Sequence, residues 1–363
     1  MSDFRRNSAE FTREYPVVLS TTYSIKGTLS VDHIYDYLIV DEASQVDLAT
    51  GVLAFSCARN IVIVGDLKQL PNVLTEDDIR TSDAIWQKYS LDERYRFSPH
   101  SLLSSALEIW QDAPVTLLRE HYRCHPKIIN FCNQKFYHGQ LIVMTKDHDE
   151  PDVLTMYRTT AGNHARGHLN QRQIDVIQQE VLPRLHQQNF ESIGIITPYR
   201  DQVTAIRKQL GDTYEVDTVH KFQGREQDAI ILTSVDNVIT DFVDDPYMLN
   251  VAVSRAVHSL AVVTSQDPRN DQTNYGDLTR YIEYNNFEVI QSQVYDDNGY
   301  PKTKNVLAKT KKECIEKLQK LKEKRGGLKP EKVRPEMPFG DWLTYWYENH
   351  SKPKIRPTTQ ETY

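Results

Sequence analysis

Between Tyr15 and Tyr295 short apolar runs alternate with polar, turn-forming stretches. Residues 17–20, 37–40 and 61–64 are near-continuous apolar runs, the pattern of strands buried on both faces of a parallel sheet. Residues 76–115 are more polar and read as helical. Ile174, Ile177, Val181 and Leu185 recur at helical spacing, and Pro183 predicts an early stop for that helix. Further strands are predicted at 193–197, 214–218, 229–234 and 260–264, with helices at 201–210 and 248–256. Strands alternating with helices predict an α/β fold with a mostly parallel sheet. The character changes near Tyr295. Asp296-Asp297-Asn298-Gly299 is a turn signal, and 304–307 is a short strand candidate. Thr310 then caps a Lys/Glu-rich helix running to about Lys324, with Gly326-Gly327 as its stop. A proline-bearing linker leads to Trp342, Tyr345 and Trp346, which share one helix face and read best as core packing.

Charge sharpens this division. The net charge is -7, yet residues 301–363 carry 16 basic and 8 acidic side chains, and the rest of the chain carries 27 basic and 42 acidic. Such a break points to two units of different origin, with nucleic-acid contact favoured for the basic one. At 363 residues, 39% hydrophobic, the chain is long enough for two or three domains with ordinary cores. It has no apolar run able to span a bilayer, and its start shows no signal segment. The four scattered cysteines fit a reduced, cytoplasmic protein. His121, Cys124, His125 and Cys132 lie close in sequence, but their spacing fits no standard zinc pattern.

The candidate chemistry follows the predicted strands, at the ends where open α/β sheets bind ligands. Asp41-Glu42-Ala43-Ser44-Gln45 follows the run at 37–40, and Gly65-Asp66-Leu67-Lys68-Gln69-Leu70-Pro71 follows the run at 61–64. A strand ending in Asp-Glu suits a nucleotide hydrolase: Asp41 would hold Mg²⁺ and Glu42 would orient or deprotonate water. An isolated Asp-Glu is more often a surface turn; the succession of the two motifs is what makes the signal specific. The Gln69 amide can report on a γ-phosphate. Arg123, in Tyr122-Arg123-Cys124-His125-Pro126, and Arg255, in Asn250-Val251-Ala252-Val253-Ser254-Arg255-Ala256, are candidate arginine fingers, since a planar guanidinium matches phosphate oxygens.

Together these motifs, with the stretch from Asp217 to Glu226, resemble the C-terminal part of a superfamily 1 helicase, closest to the group containing the nonsense-mediated-decay helicase. The resemblance implies RecA-like motor domains: a partial first one over residues 1–115 with motifs II and III, and a complete second one over residues 116–295 with motifs IV to VI. It implies ATP and Mg²⁺ as cofactors and single-stranded DNA or RNA as partner. By resemblance Tyr122 would stack on adenine, Arg123 would touch the γ-phosphate, and Gly224 and Glu226 would lie near the ribose and phosphates. Thr21, Thr22, Tyr199, Arg200 and Thr218 would grip the strand. Stacking rings and hydroxyl contacts to phosphate suit tracking without sequence preference.

One element of that family is missing from this sequence: no G-x-x-x-x-G-K-[ST] phosphate loop occurs in it. ATP binding and hydrolysis by this chain alone are therefore expected to be impaired, and the partial first sheet is expected to leave an edge or core face uncovered. Residues 296–328 and 329–363 resemble the arm-binding and core-binding modules at the N-terminus of a tyrosine-type integrase, without its catalytic domain. The competing expectation is a non-catalytic nucleic-acid-binding fragment.

Overall fold

Isoleucine and valine pairs set the architecture. In Ile195-Ile196, Ile230-Ile231 and Val262-Val263 adjacent side chains point to opposite faces, and both faces are covered, so each run reads as continuously apolar. A computed structural model shows the result, and it describes residues 5–295 apart from 161, 163 and 266. These residues lie within one compact unit, Met1–Pro301. The sequence expectations for 296–363 lie outside the described residues.

Two short strands come first, β1 (Tyr35–Val40) and β2 (Ala58–Ile63), paired in parallel across the helix Leu48–Phe55. Helices Glu76–Lys88 and Leu102–Ile109 follow. β3 (Glu120–His121) and β4 (Ile142–Val143) are a parallel pair of two residues each, flanking the helix Pro126–Phe136. The main sheet uses β5 (Leu154–Thr159), β6 (Ile193–Thr197), β7 (Glu215–Thr218), β8 (Gln227–Thr233), β9 (Ala256–Ser265) and β10 (Glu288–Gln291). Its order is β10-β5-β9-β8-β6-β7, and every pairing is parallel. This is the α/β, RecA-like arrangement that the motifs imply. One face packs helices Pro126–Phe136, Pro246–Val253 and Asn274–Tyr284; the other packs the helical run 171–186 and the helix Arg200–Leu210. Among the described residues no helix is long and apolar enough to cross a membrane.

The structure corrects several sequence expectations. Residues 17–20 form no strand: Val17 is 75% and Leu19 92% exposed, and without a neighbouring strand an apolar run has nothing to pair with. Pro183 does not stop its helix. The chain opens into a π-turn at Ile177–Val181, and Pro183 sits in the first turn of Leu182–His186, where its missing N–H costs no bond. The helix expected at 248–256 runs Pro246–Val253, capped by Asp245, whose Oδ1 accepts from the Met248 N–H at 2.9 Å. Strands β5 and β10 and helices Pro126–Phe136 and Asn274–Tyr284 had no counterpart in the sequence reading.

The β1–β2 ribbon covers two small clusters, Val40 and Ala43 with Leu102 and Leu103, and Ile25 with Ala54 and Cys57, against which Tyr35 and Leu38 pack. Tyr37, Ile39 and Val62 share an exposed face. The difference in burial predicts a difference in energy. Ile231→Ala, in the covered sheet, lowers unfolding free energy by about 2–5 kcal/mol. Ile39→Ala shifts it by about 0.5 kcal/mol or less. Urea denaturation of the two variants checks this, and equal losses would contradict the exposed face.

Candidate nucleotide and nucleic-acid site

The loop after β1 is fixed by backbone bonds. The Ala43 N–H donates to Val64 O at 2.9 Å, and Leu102 and Leu103 donate to Val46 O and Ala43 O. Gly65 lets the loops after β1 and β2 approach: a Cβ there would lie 3.0 Å from the Ala43 nitrogen. Glu42 takes a left-handed backbone (φ 50°), its N–H donates to Asp41 Oδ1 at 2.9 Å, and its Oε2 accepts from Gln45 at 3.2 Å. Asp41 is exposed and keeps free carboxylate capacity for a cation.

After β2, Asp66 organises a turn. Its Oδ1 accepts from the Lys68 N–H at 2.8 Å, and its Oδ2 accepts from the Gln69 amide at 3.1 Å. The same Oδ2 accepts from the Tyr137 hydroxyl at 2.6 Å. That hydroxyl also accepts from Asn250 Nδ2 at 2.9 Å, while Asn250 donates to Lys68 O at 2.8 Å. Sequence reasoning missed Asp66, Tyr137 and Asn250 as a unit. Burial, then the neighbouring Asp66 carboxylate, pushes the Tyr137 phenol far up, so it stays a donor. Gln69 therefore faces its own turn rather than the arginines, and its buried Oε1 has no protein partner.

The two arginines are brought together. Arg123 reaches Glu226 Oε2 at 3.1 Å, and Gly224 (φ 76°) turns the chain just before that carboxylate. Arg255 is 3% exposed, and its Nε and one terminal nitrogen make only long bonds, to Val251 O at 3.3 Å and Ser254 Oγ at 3.4 Å. Burial and the adjacent Arg123 charge pull its pKa down, while Glu42 and Glu226 oppose them. Glu42 thus lies within electrostatic reach of Arg255. Backbone bonds hold this corner: His125 N–H to Val257 O at 2.7 Å and Gln227 N–H to Arg255 O at 3.1 Å. Buried Arg123 Nε and Gln223 Nε2 have no protein partner. Beside them a hollow of 530 Å³ is lined by Glu120, His121, Tyr122, Arg123, Glu226 and Val257, with the Tyr122 ring 66% exposed. Unsatisfied donors on one buried and one partly buried cation, with a carboxylate opposite, fit a phosphate chain with its metal ion.

The proposed strand-gripping residues fall into two places. Thr218, Tyr199 and Arg200 sit at the C-terminal ends of β7 and β6, where Thr197 pairs with Thr218 in register. Thr21 and Thr22 lie in a turn before Ile25, and Thr21 Oγ1 accepts from the Ser24 N–H at 3.2 Å. Beyond the adjacent end of β8, Val235 is fully buried with φ 61°, a conformation costing a β-branched residue about 1–3 kcal/mol. Gln173 accepts its N–H at 2.9 Å and Asn170 donates to its carbonyl at 2.7 Å.

The histidines and cysteines near Arg123 are structural. Cys124 and Cys132 are buried thiols whose pKa values burial raises. His121 Nε2 accepts from the Cys124 N–H at 2.9 Å. His125 Nδ1 accepts from Lys127 N–H at 3.1 Å, which leaves Nε2 to donate to Glu150 at 3.2 Å rather than to bind a metal with Asp147 and Glu150. Burial, then Arg123 and Arg255, pushes His121 down to about 4 from the ordinary 6.5. The unfolded chain then holds more protons between those pH values, so stability is present above 6.5 and lost as pH falls towards 4. Solvent screening of this half-buried group reduces the loss to about 1–2 kcal/mol. Urea midpoints at neutral and acid pH should show that extra loss in wild type and not in His121→Gln, whose amide oxygen can keep the Cys124 bond. Equal pH sensitivity would mean His121 is not held neutral.

Two family models, each described as an AAA domain, match the chain, one over residues 2–76 and one over residues 98–267. The DNA replication ATP-dependent helicase/nuclease DNA2 of Gallus gallus is 28% identical over 271 residues, covering 70% of this chain and 25% of that protein. The 5'-3' DNA helicase ZGRF1 of Mus musculus is 28% identical over 253 residues, covering 64% of this chain and 13% of that protein. An uncharacterized ATP-dependent helicase of Methanocaldococcus jannaschii is 23% identical over 301 residues, covering 76% of this chain and 42% of that protein. The chain thus spans less than half the length of each of these relatives. A solved arterivirus helicase in complex with DNA aligns over 67% of this chain and 42% of that chain, at 16% identity and a TM-score of 0.35. With the motif order and the parallel sheet, the domain matches and the helicase relatives support a helicase-family assignment for this chain.

Proposed function

We propose that the chain carries the catalytic and strand-binding residues of an ATP-dependent motor acting on single-stranded DNA or RNA. The observation that carries this reading is the pairing of Arg123 with nearly buried Arg255, both short of hydrogen-bond acceptors, opposite Glu226 and Glu42. Residues 1–115 and 116–295 are proposed as the two motor domains, the first partial. Bound Mg²⁺ and ATP would supply the cleavable phosphoanhydride and a charge clamp on its oxygens. Asp41 would hold the cation, Glu42 would orient water and accept its proton, and Gln69 would turn from Asp66 towards the γ-phosphate. Arg123 would exchange Glu226 for phosphate oxygens, and Arg255 would face the charge that develops on transfer. Tyr122 offers an exposed ring for adenine, and Gly224 lets Glu226 approach the ribose. Thr21, Thr22, Tyr199, Arg200 and Thr218 would hold the strand. Residues 296–363 are proposed as an integrase-type fragment that contacts DNA through phosphates.

The absence of a G-x-x-x-x-G-K-[ST] loop from this sequence predicts weakened binding and slow turnover. The test is titration with a fluorescent ATP analogue, alongside phosphate release with and without single-stranded DNA. Binding is expected to weaken roughly tenfold or more in Arg255→Ala, the loss of a charge-assisted bond. Turnover is expected to be near background in wild type and in Glu42→Gln alike. Robust turnover stimulated by the strand and abolished by Glu42→Gln would overturn the slow-turnover claim. Binding that ignores Arg255→Ala would overturn the site.

A further inference from the structure

Three aromatic rings stand in a column at the C-terminal rim of the main sheet. Tyr199 follows β6, and His168 lies against one of its faces with centroids 4.2 Å apart and planes within 5°. Phe242 also stacks on Tyr199, at 5.5 Å and 24°. Tyr199 is thus engaged by two rings and is itself partly buried. The outer members are open: the His168 side chain is 62% exposed and Phe242 is 49% exposed.

The column is held by the strained turn after β8. Gln173 and Asn170 fix the peptide of Val235, and the next residue, Asp236, accepts from the Tyr199 hydroxyl at 2.8 Å and from Thr240 Oγ1 at 2.9 Å. Asn170 is itself tied to Gln202, whose Oε1 accepts its N–H at 2.8 Å, on the helix that starts at Arg200. Fully buried amides thus brace the ring from two sides, so the column is preformed rather than assembled on contact.

We infer that His168 and Phe242, not Tyr199, are the base-stacking surfaces of this rim, each taking one nucleobase of a single strand, with Tyr199 as the spacer that sets their separation and tilt. This rests on the nucleic-acid reading proposed above and deepens it. Flat parallel rings with open ends match the faces of bases, which all four bases present alike. The rim also carries exposed Arg200 and, on the neighbouring strand end, Thr218, groups suited to phosphate. Stacking surfaces lying off the motif residue explain how a segment whose tyrosine is already engaged by two rings can still take a strand.

Two labelled DNA single strands of equal length and equal phosphate count separate the possibilities: one of thymidines, one of abasic residues, compared by anisotropy at fixed salt. Wild type is expected to favour the base-bearing strand at least about tenfold. The double variant His168→Ala, Phe242→Leu should reduce that preference to about twofold or less, and the aromatic pair His168→Tyr, Phe242→Trp should keep it. In wild type, ultraviolet cross-linking to a thiothymidine strand should place adducts on His168 or Phe242, a readout that needs no variant. Equal binding of both strands by wild type, or cross-links confined to other segments, would overturn the inference while leaving strand binding intact. Binding of neither strand would bring down the nucleic-acid reading itself, and this inference with it.

Discussion

A guanidinium held almost out of water beside a second one is the constraint from which the rest of this structure follows. Arg255 is 3% exposed and has Arg123 as its neighbour, so each raises the cost of the other. Only fixed acceptors and opposing carboxylates make that arrangement bearable. The chain provides both by stitching three distant loops together: the loop before Pro126, the loop of Gly224 and Glu226, and the end of the helix Pro246–Val253. The acceptors left to Arg255 are too few and too long for its five N–H donors. Under the proposed reading an anion would supply the missing acceptors, and Glu226 is the stand-in on Arg123.

The parallel sheet explains why these loops meet. Every strand of the main sheet runs the same way, so the segments leading into β8 and β9, which carry Glu226 and Arg255, meet at one rim, and the loops that follow the strands meet at the opposite rim. The same geometry puts Thr218, Tyr199 and the Val235 turn side by side at the ends of β7, β6 and β8. One architectural fact thus organises two surfaces of different chemistry, a buried arginine beside a partly buried one and a rim of rings and hydroxyls. Neither needs residues that are close in sequence.

That nonlocality marks the limit of what the sequence could reveal. The strand Ile193–Thr197 was legible residue for residue because its run is apolar and bounded by polar turns. β5 was not, because Thr155 and Arg158 interrupt its pattern, and only the sheet around it buries Thr155 to 2%. Residues 17–20 have the composition of a strand but no neighbour, and pairing outweighs propensity. Among site residues, motif spacing marked Arg123, Arg255 and Glu42. It gave no hint that Arg123 would rest on Glu226, that Tyr199 would stack with two other rings, or that Gln69 would fold back onto Asp66. Tyr137 carried no motif at all: its hydroxyl matters because of partners 71 and 113 residues away.

The Tyr137 hydroxyl also bears on how the two halves of the proposed site relate. It lies between the Asp66 carboxylate, which holds Gln69, and Asn250, which opens the segment ending in Arg255. Asn250 in turn donates to the Lys68 carbonyl within the Asp66 turn. A rigid movement of the helix Pro246–Val253 must either carry that turn along or break bonds in a setting where an unsatisfied polar group costs about 1–3 kcal/mol. Carrying it along is cheaper. Under the proposed reading, Gln69 and Arg255 are then coupled before any nucleotide arrives, and release of Gln69 from Asp66 becomes the step that uncouples them. The buried, unpartnered Oε1 of Gln69 and Oδ1 of Asn250 fit such a linkage, since each is a polar atom left without a protein partner at the junction that would have to rearrange.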